Sequence, residues 1–107
     1  MSGVRLRSYD RDGRLVPPQA RGLRARAVTL KPHGIMDWHS TKAREELVIA
    51  LAGDVRIEVA APSRRIHHVP LRRGQCAFLP AQTRHRVVNR SGGRARYLYV
   101  TAPVSAA

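Results

Sequence analysis

Gly34-Ile-Met-Asp-Trp-His39-Ser-Thr41-Lys-Ala-Arg-Glu45-Glu46-Leu-Val-Ile-Ala-Leu-Ala-Gly53 is the stretch whose reading decides the fold of this chain. From Glu45 onward it alternates as a strand: Glu46, Val48 and Ala50 point one way, and Leu47, Ile49 and Leu51 the other. Both faces are apolar, so the strand is expected to be covered twice, by a core on one side and a second sheet or a second subunit on the other. A related stretch follows, Gly74-Gln-Cys-Ala-Phe-Leu-Pro80-Ala-Gln82-Thr-Arg-His85-Arg-Val-Val-Asn89. There His85, Val87 and Asn89 share a face opposite Arg84, Arg86 and Val88. Keeping the arginines in water turns His85 inward. Imidazole and carboxylate together suit a divalent cation. A compact sheet that gathers His39, Glu46 and His85 would form a small metal site.

Working outward, short runs rich in Val, Ile, Leu and Tyr are separated by Gly, Pro and Asn, and helical periodicity is absent. This is the signature of an all-β domain. Strands are predicted at 5–9, 23–31, 45–52, 54–60, 66–71, 75–79, 84–89 and 95–101. Ala52-Gly53-Asp54 reads as a tight hairpin between two of them. Tyr97, Tyr99 and the segment from Val4 to Leu6 are expected to close the sheet edges.

A chain of 107 residues that is 43% hydrophobic suits one domain, 1–107, with one modest core. No apolar run reaches the length of a membrane span and the start lacks a signal-peptide apolar region, so a cytoplasmic protein is expected. Cys76 is the only cysteine, which excludes an internal disulfide and a multi-thiolate metal site. Its apolar neighbours Ala77, Phe78 and Leu79 suggest a buried, inert thiol. The formal charge is +13, and among the twenty basic side chains only Lys31 and Lys42 are lysines. The arginines are scattered and the aromatics few, which favours a solvated basic surface over a specific nucleic-acid site. An anionic substrate drawn to a basic barrel mouth is a further reading.

The two stretches also resemble the paired motifs of the cupin superfamily, small double-sheet jelly-roll barrels. In the second, Gly74, Pro80, His85 and Asn89 keep every spacing, and Gln82 stands where the motif has glycine. In the first, Gly34 lies one residue closer to His39 than the motif has it, and Glu46 precedes Gly53 by the motif's interval. The resemblance covers motif 1 at about 34–53 and motif 2 at about 74–89, and it implies a cupin-type double-stranded β-helix. It carries three of the family's four metal positions onto His39, Glu46 and His85. Glu46 is chosen over Glu45 by its spacing to Gly53, and the fourth position, a histidine in the family, is Thr41.

Two histidines and one carboxylate suffice for a three-ligand site that iron, zinc, manganese or nickel would fit. The role implied is binding of a small organic molecule at that metal, with oxygenase or isomerase chemistry if the protein is an enzyme, and a homodimer through an outer face or an exchanged terminal strand. The alternative is a metal-free binding barrel. Thr41, Trp38, Phe78 and Gln82 are the pocket candidates, although core packing is the favoured reading of Trp38 and an alternative for Phe78. His33 reads as an exposed turn residue, Asn89 as a turn-fixing one, and His67 and His68 as pointing to opposite faces. No nucleophile paired with a base is visible.

Overall fold

The computed structural model describes residues 3–104 and contains nine strands, with no helix among them. In chain order these are β1 (Gly13–Arg14), β2 (Arg24–Leu30), β3 (Ile35–Ser40), β4 (Arg44–Ala52), β5 (Asp54–Ala60), β6 (Ile66–Arg72), β7 (Cys76–Leu79), β8 (Arg84–Val88) and β9 (Ala95–Pro103). They form two antiparallel sheets, one ordered β1-β2-β9-β4-β7 and the other β3-β8-β5-β6. This is a cupin-type jelly-roll barrel.

The register turns strand alternation into rows of inward side chains. In the larger sheet, Arg24, Thr101, Glu46 and Leu79 form one row across β2, β9, β4 and β7. Arg26, Tyr99, Val48 and Ala77 form the next, then Val28, Tyr97 and Ala50, and finally Leu30 with Ala95. The facing sheet repeats the gradient, with His39, His85, Val59 and His67 in one row and Met36, Val87, Ile57 and Val69 in the next. The interior thus runs from a polar mouth to an apolar base, where Leu30, Val55, Ile57, Leu71, Val87, Ala95 and Tyr97 make the core. Burying these side chains is worth about 1.5–3 kcal/mol for each of the larger ones, and it sets which end of the barrel can stay open.

Several sequence expectations are corrected. Residues 5–9 form no strand, and Val4 and Leu6 lie in solvent at 82% and 101% exposure. Tyr97 closes no edge: β9 runs between β2 and β4, and its Tyr97 is in the core. The Ala52-Gly53-Asp54 turn is no hairpin, because β4 and β5 belong to different sheets and the turn carries the chain from one to the other. Gly53 suits that corner, with φ of 67° and an added Cβ only 2.8 Å from the Arg94 carbonyl oxygen. Cys76 is exposed, since β7 turns Ala77 and Leu79 inward and Cys76 and Phe78 outward. Strands β1 and β3 were absent from the sequence reading.

Asn89 acts as expected. Its Nδ2 donates to the carbonyls of Leu30, Lys31 and Gly93, and its Oδ1 accepts from the backbone N–H and hydroxyl of Ser91. On the outer side of the smaller sheet, Glu58 is buried between Arg86 (2.5 Å), Arg56 (2.8 Å) and His68 (3.0 Å). Burial acts to raise the Glu58 pKa, but the Arg86 and Arg56 guanidiniums outweigh it, and the carboxyl sits below its ordinary value of 4.5. Its ion pairs therefore stabilise the fold fully above that value and are lost as pH falls through the depressed one. Glu58→Gln is expected to lower stability in urea unfolding at neutral pH by about 2 kcal/mol. The gap from wild type should shrink as the pH is taken below 4.5; a gap independent of pH would refute this account.

Candidate metal centre

His39, an exposed residue, is turned to the cavity mouth through an irregularity in β3. Met36 pairs with Val87 and His39 with His85, so β3 advances three residues while β8 advances two. Regular alternation from an inward Met36 would turn Trp38 inward and His39 out; the bulge reverses them. The Asp37 side chain accepts the Trp38 backbone N–H at 2.7 Å, giving that amide a partner inside the bulge. Trp38 consequently packs outside, with the Arg86 and Arg84 guanidiniums 4.9 and 5.8 Å from its ring centre. Trp38 is therefore not a pocket wall.

His85 follows from plain alternation and is fully buried, and Glu46 is 7% exposed. The ligand-type atoms of His39, Glu46 and His85 all lie within 4.8 Å of one another. The two rings are tilted by 56° with centroids 4.3 Å apart. Both imidazoles are oriented in the same way. Nδ1 of His39 bonds the Asp37 carbonyl at 2.8 Å, and Nδ1 of His85 bonds the Thr83 carbonyl at 3.1 Å. A carbonyl only accepts, so each Nδ1 carries a proton, and Nε2 is the ring nitrogen left available to a ligand. His85 Nε2 is buried without a hydrogen-bond partner, 3.4 Å from a Glu46 carboxylate oxygen. A cation placed between this nitrogen and the carboxylate would take both as ligands. The donor set thus fits a divalent metal ion.

Thr41 lines the cavity beside this group but its hydroxyl is committed elsewhere. It donates to the Pro80 carbonyl at 2.8 Å and accepts the Thr83 N–H at 3.0 Å, tying the β3–β4 turn to the turn before β8. Gln82 is a turn residue as well: it is exposed, has φ of 59° where the motif has glycine, and donates its backbone N–H to Lys42. Phe78, 61% exposed, lies on the outer face of β7. Of the four pocket candidates only Thr41 borders the cavity.

The cavity is about 490 Å³ and opens beside His39 and Glu46. Val16, Pro17, Pro18, Ala20 and Leu23 border it from the segment before β2. Arg44 anchors that segment, donating to the Gly22 carbonyl as well as to the hydroxyl (2.8 Å) and carbonyl (3.1 Å) of Thr101. Burial, then the neighbouring Arg24, lowers the Arg44 pKa. Below the mouth, the Tyr97 hydroxyl is buried without a partner. Burial, with Tyr99 and Glu46 adding to it, pushes its pKa up and keeps it a neutral phenol. Sequence reasoning missed Arg14, Arg24 and Arg26, which also border the cavity. The signal was present in the alternation Arg24, Arg26, Val28, Leu30, whose lower half is plainly apolar.

Solved structures share this architecture. A Cupin 2 conserved barrel domain protein from Salinispora arenicola aligns with a TM-score of 0.77 and 20% identity, over 96% of this chain and 92% of that one. The protein TT1209 from Thermus thermophilus aligns with a TM-score of 0.71 and 27% identity, over 92% and 90%. An oxalate oxidase aligns with a TM-score of 0.70 and 15% identity over 77% of this chain, which spans only 42% of its length. No curated protein matches the sequence. The Cupin_2 family model, a cupin domain, matches residues 26–101. That span begins in β2, ends in β9 and contains both histidine motifs, so the chain belongs to the cupin family.

Proposed function

We propose that this barrel holds one divalent metal ion on Nε2 of His39, Nε2 of His85 and the Glu46 carboxylate, and presents it to a small organic molecule in the cavity. The observation that carries this reading is the buried, unpartnered Nε2 of His85 facing Glu46, with His39 held in the matching tautomer. Three protein ligands leave coordination positions free for a substrate. A bound ion would supply Lewis acidity and, if it is iron or manganese, redox chemistry, which is the basis for oxygenase- or isomerase-type activity. The chain's own part is positional. The Asp37 and Thr83 carbonyls fix the rings, the segment from Val16 to Leu23 narrows access for water, and no side chain in the cavity forms a nucleophile–base pair.

Elemental analysis of tag-free protein beside His39→Ala, His85→Ala and Thr41→Val tests this. Near-stoichiometric metal is expected in the wild type and in Thr41→Val, with loss in both histidine variants. Chelation should lower the thermal midpoint of the wild type and of Thr41→Val but not of the histidine variants, since metal bound only to the folded state stabilises it by mass action. Little metal after reconstitution would leave a metal-free binding barrel.

The proposal extends to assembly as a homodimer. Two outward rows of the larger sheet, which include Leu47, Ile49, Leu98, Val100 and Phe78, carry no charged side chain. The opposite outer face displays Arg56, Arg84 and Arg86. Two copies each carrying +13 meet with least repulsion through the uncharged rows. Light scattering should report a dimer for the wild type and a folded monomer for Leu47→Glu/Phe78→Glu; a monomeric wild type at high concentration would remove this extension.

A further inference from the structure

The inward side of β2 carries Arg24, Arg26, Val28 and Leu30 in succession, opposite Thr101, Tyr99, Tyr97 and Ala95 of β9. Val28 and Leu30 join the core, while Arg24 and Arg26 border the cavity together with Arg14, the register partner of Arg26. Glu46 is the one carboxylate among the residues lining that cavity. Other arginines find partners: Arg56 and Arg86 close on Glu58, and Arg96 closes on Asp12. Among the described residues, neither Arg24 nor Arg26 forms an ion pair. A cleft walled by one sign of charge concentrates ligands of the other sign. A guanidinium also matches the paired oxygens of a carboxylate or phosphate.

Position decides how such a ligand sits. Arg24 and Glu46 occupy the same inward row, on the two strands that flank β9. Two strand spacings put their backbones about 10 Å apart. A group bound beside Glu46 and a group bound on Arg24 are therefore different ends of one molecule, joined by a short spacer. The metal ion would engage the Glu46 charge, leaving the guanidiniums free to neutralise the ligand.

We propose that Arg24 and Arg26 form an anion subsite in the cavity shared with His39 and Glu46, two strands from Glu46 in the same sheet, and that the ligand is a small organic dianion. One carboxylate faces the metal centre, and the second acidic group, carboxylate or phosphate, rests on the two guanidiniums. The orientation of the first carboxylate rests on the metal-centre reading above; the subsite itself rests on β2.

Calorimetric titration of metal-reconstituted protein at fixed ionic strength tests this. The probes are the dianions oxalate, malonate, succinate and glutarate, and the more highly charged phosphoglycolate, each against the matched monocarboxylate. At least one dianion is expected to bind about tenfold tighter than its monoanion, a difference that one charge-assisted contact supplies. Arg24→Gln/Arg26→Gln, at two exposed positions, should bring the pair within about twofold while metal content stays unchanged. Arg64→Gln/Arg65→Gln, in the turn between β5 and β6, should leave the preference intact. Preference for phosphoglycolate would assign the second group as phosphate, and preference for a dicarboxylate would assign it as carboxylate. No dianion preference, or equal loss in both double variants, would overturn the subsite. Metal content, measured separately, reports on the other reading. A dianion preference abolished by Arg24→Gln/Arg26→Gln in protein that takes up no metal would keep the subsite and remove the metal.

Discussion

Side-chain alternation along paired strands is the constraint on which the rest of this molecule depends. Each sheet offers only a few inward rows, and every inward position belongs either to the core or to the cavity. Once β4 places Val48 and Ala50 in the core, Glu46 must face inward one step nearer the mouth. Its neighbours in the register then gather there too: Thr101 on β9, and Arg24 beyond it on β2. The site is thus the end of the same rows that build the core, which is why a polar cluster can be held rigidly in so small a barrel. The rule breaks at the end of β4, between Ala50 and Ala52, and at the β3 bulge, which turns His39 toward the cavity mouth.

This constraint also explains how far the sequence could be read. Glu46 and His85 were legible because plain alternation beside recognisable apolar residues gives their direction, and the motif spacings add His39. The bulge was not legible. Nothing in Met-Asp-Trp-His announces an extra residue, so Trp38 reads as core packing or a pocket wall, whereas it stacks on Arg84 and Arg86 outside. Phe78 and Cys76 were misjudged for a related reason: β7 is a short edge strand in an apolar run, where residue type does not reveal the face. The Gly53 turn was recognised as a turn, but a tight turn between neighbouring strands reads the same whether they pair or part into different sheets. Arg24 and Arg26 were passed over because a charged residue on a strand is ordinarily assigned to solvent.

Thr41 shows how a position can leave a metal site without leaving the architecture. Its hydroxyl joins the Pro80 carbonyl to the Thr83 amide, so it braces the turn that leads into His85. Thr83 in turn supplies the carbonyl that orients the His85 ring. The residue at the family's fourth ligand position therefore acts through the backbone on a ligand that remains. The remaining donors, two imidazoles and one carboxylate, would leave coordination positions open on a bound ion.

The arginines follow from the same reasoning about charge. A chain with so few acids can neutralise only some of its guanidiniums internally. Glu58 serves two, Asp12 serves one, and Arg44 is satisfied by carbonyl and hydroxyl oxygens around Thr101. Trp38 offers its π face to Arg84 and Arg86. The arginines that remain on inward strand positions, Arg24 and Arg26, border the same cavity as His39 and Glu46. Their mutual repulsion at the mouth is a standing cost in the free protein, since like charges gathered in a cleft destabilise the compact state. An anion entering that cleft relieves this repulsion as well as gaining its own contacts. On the proposed reading, discrimination by charge number would come from the barrel itself, before any chemistry at a bound metal.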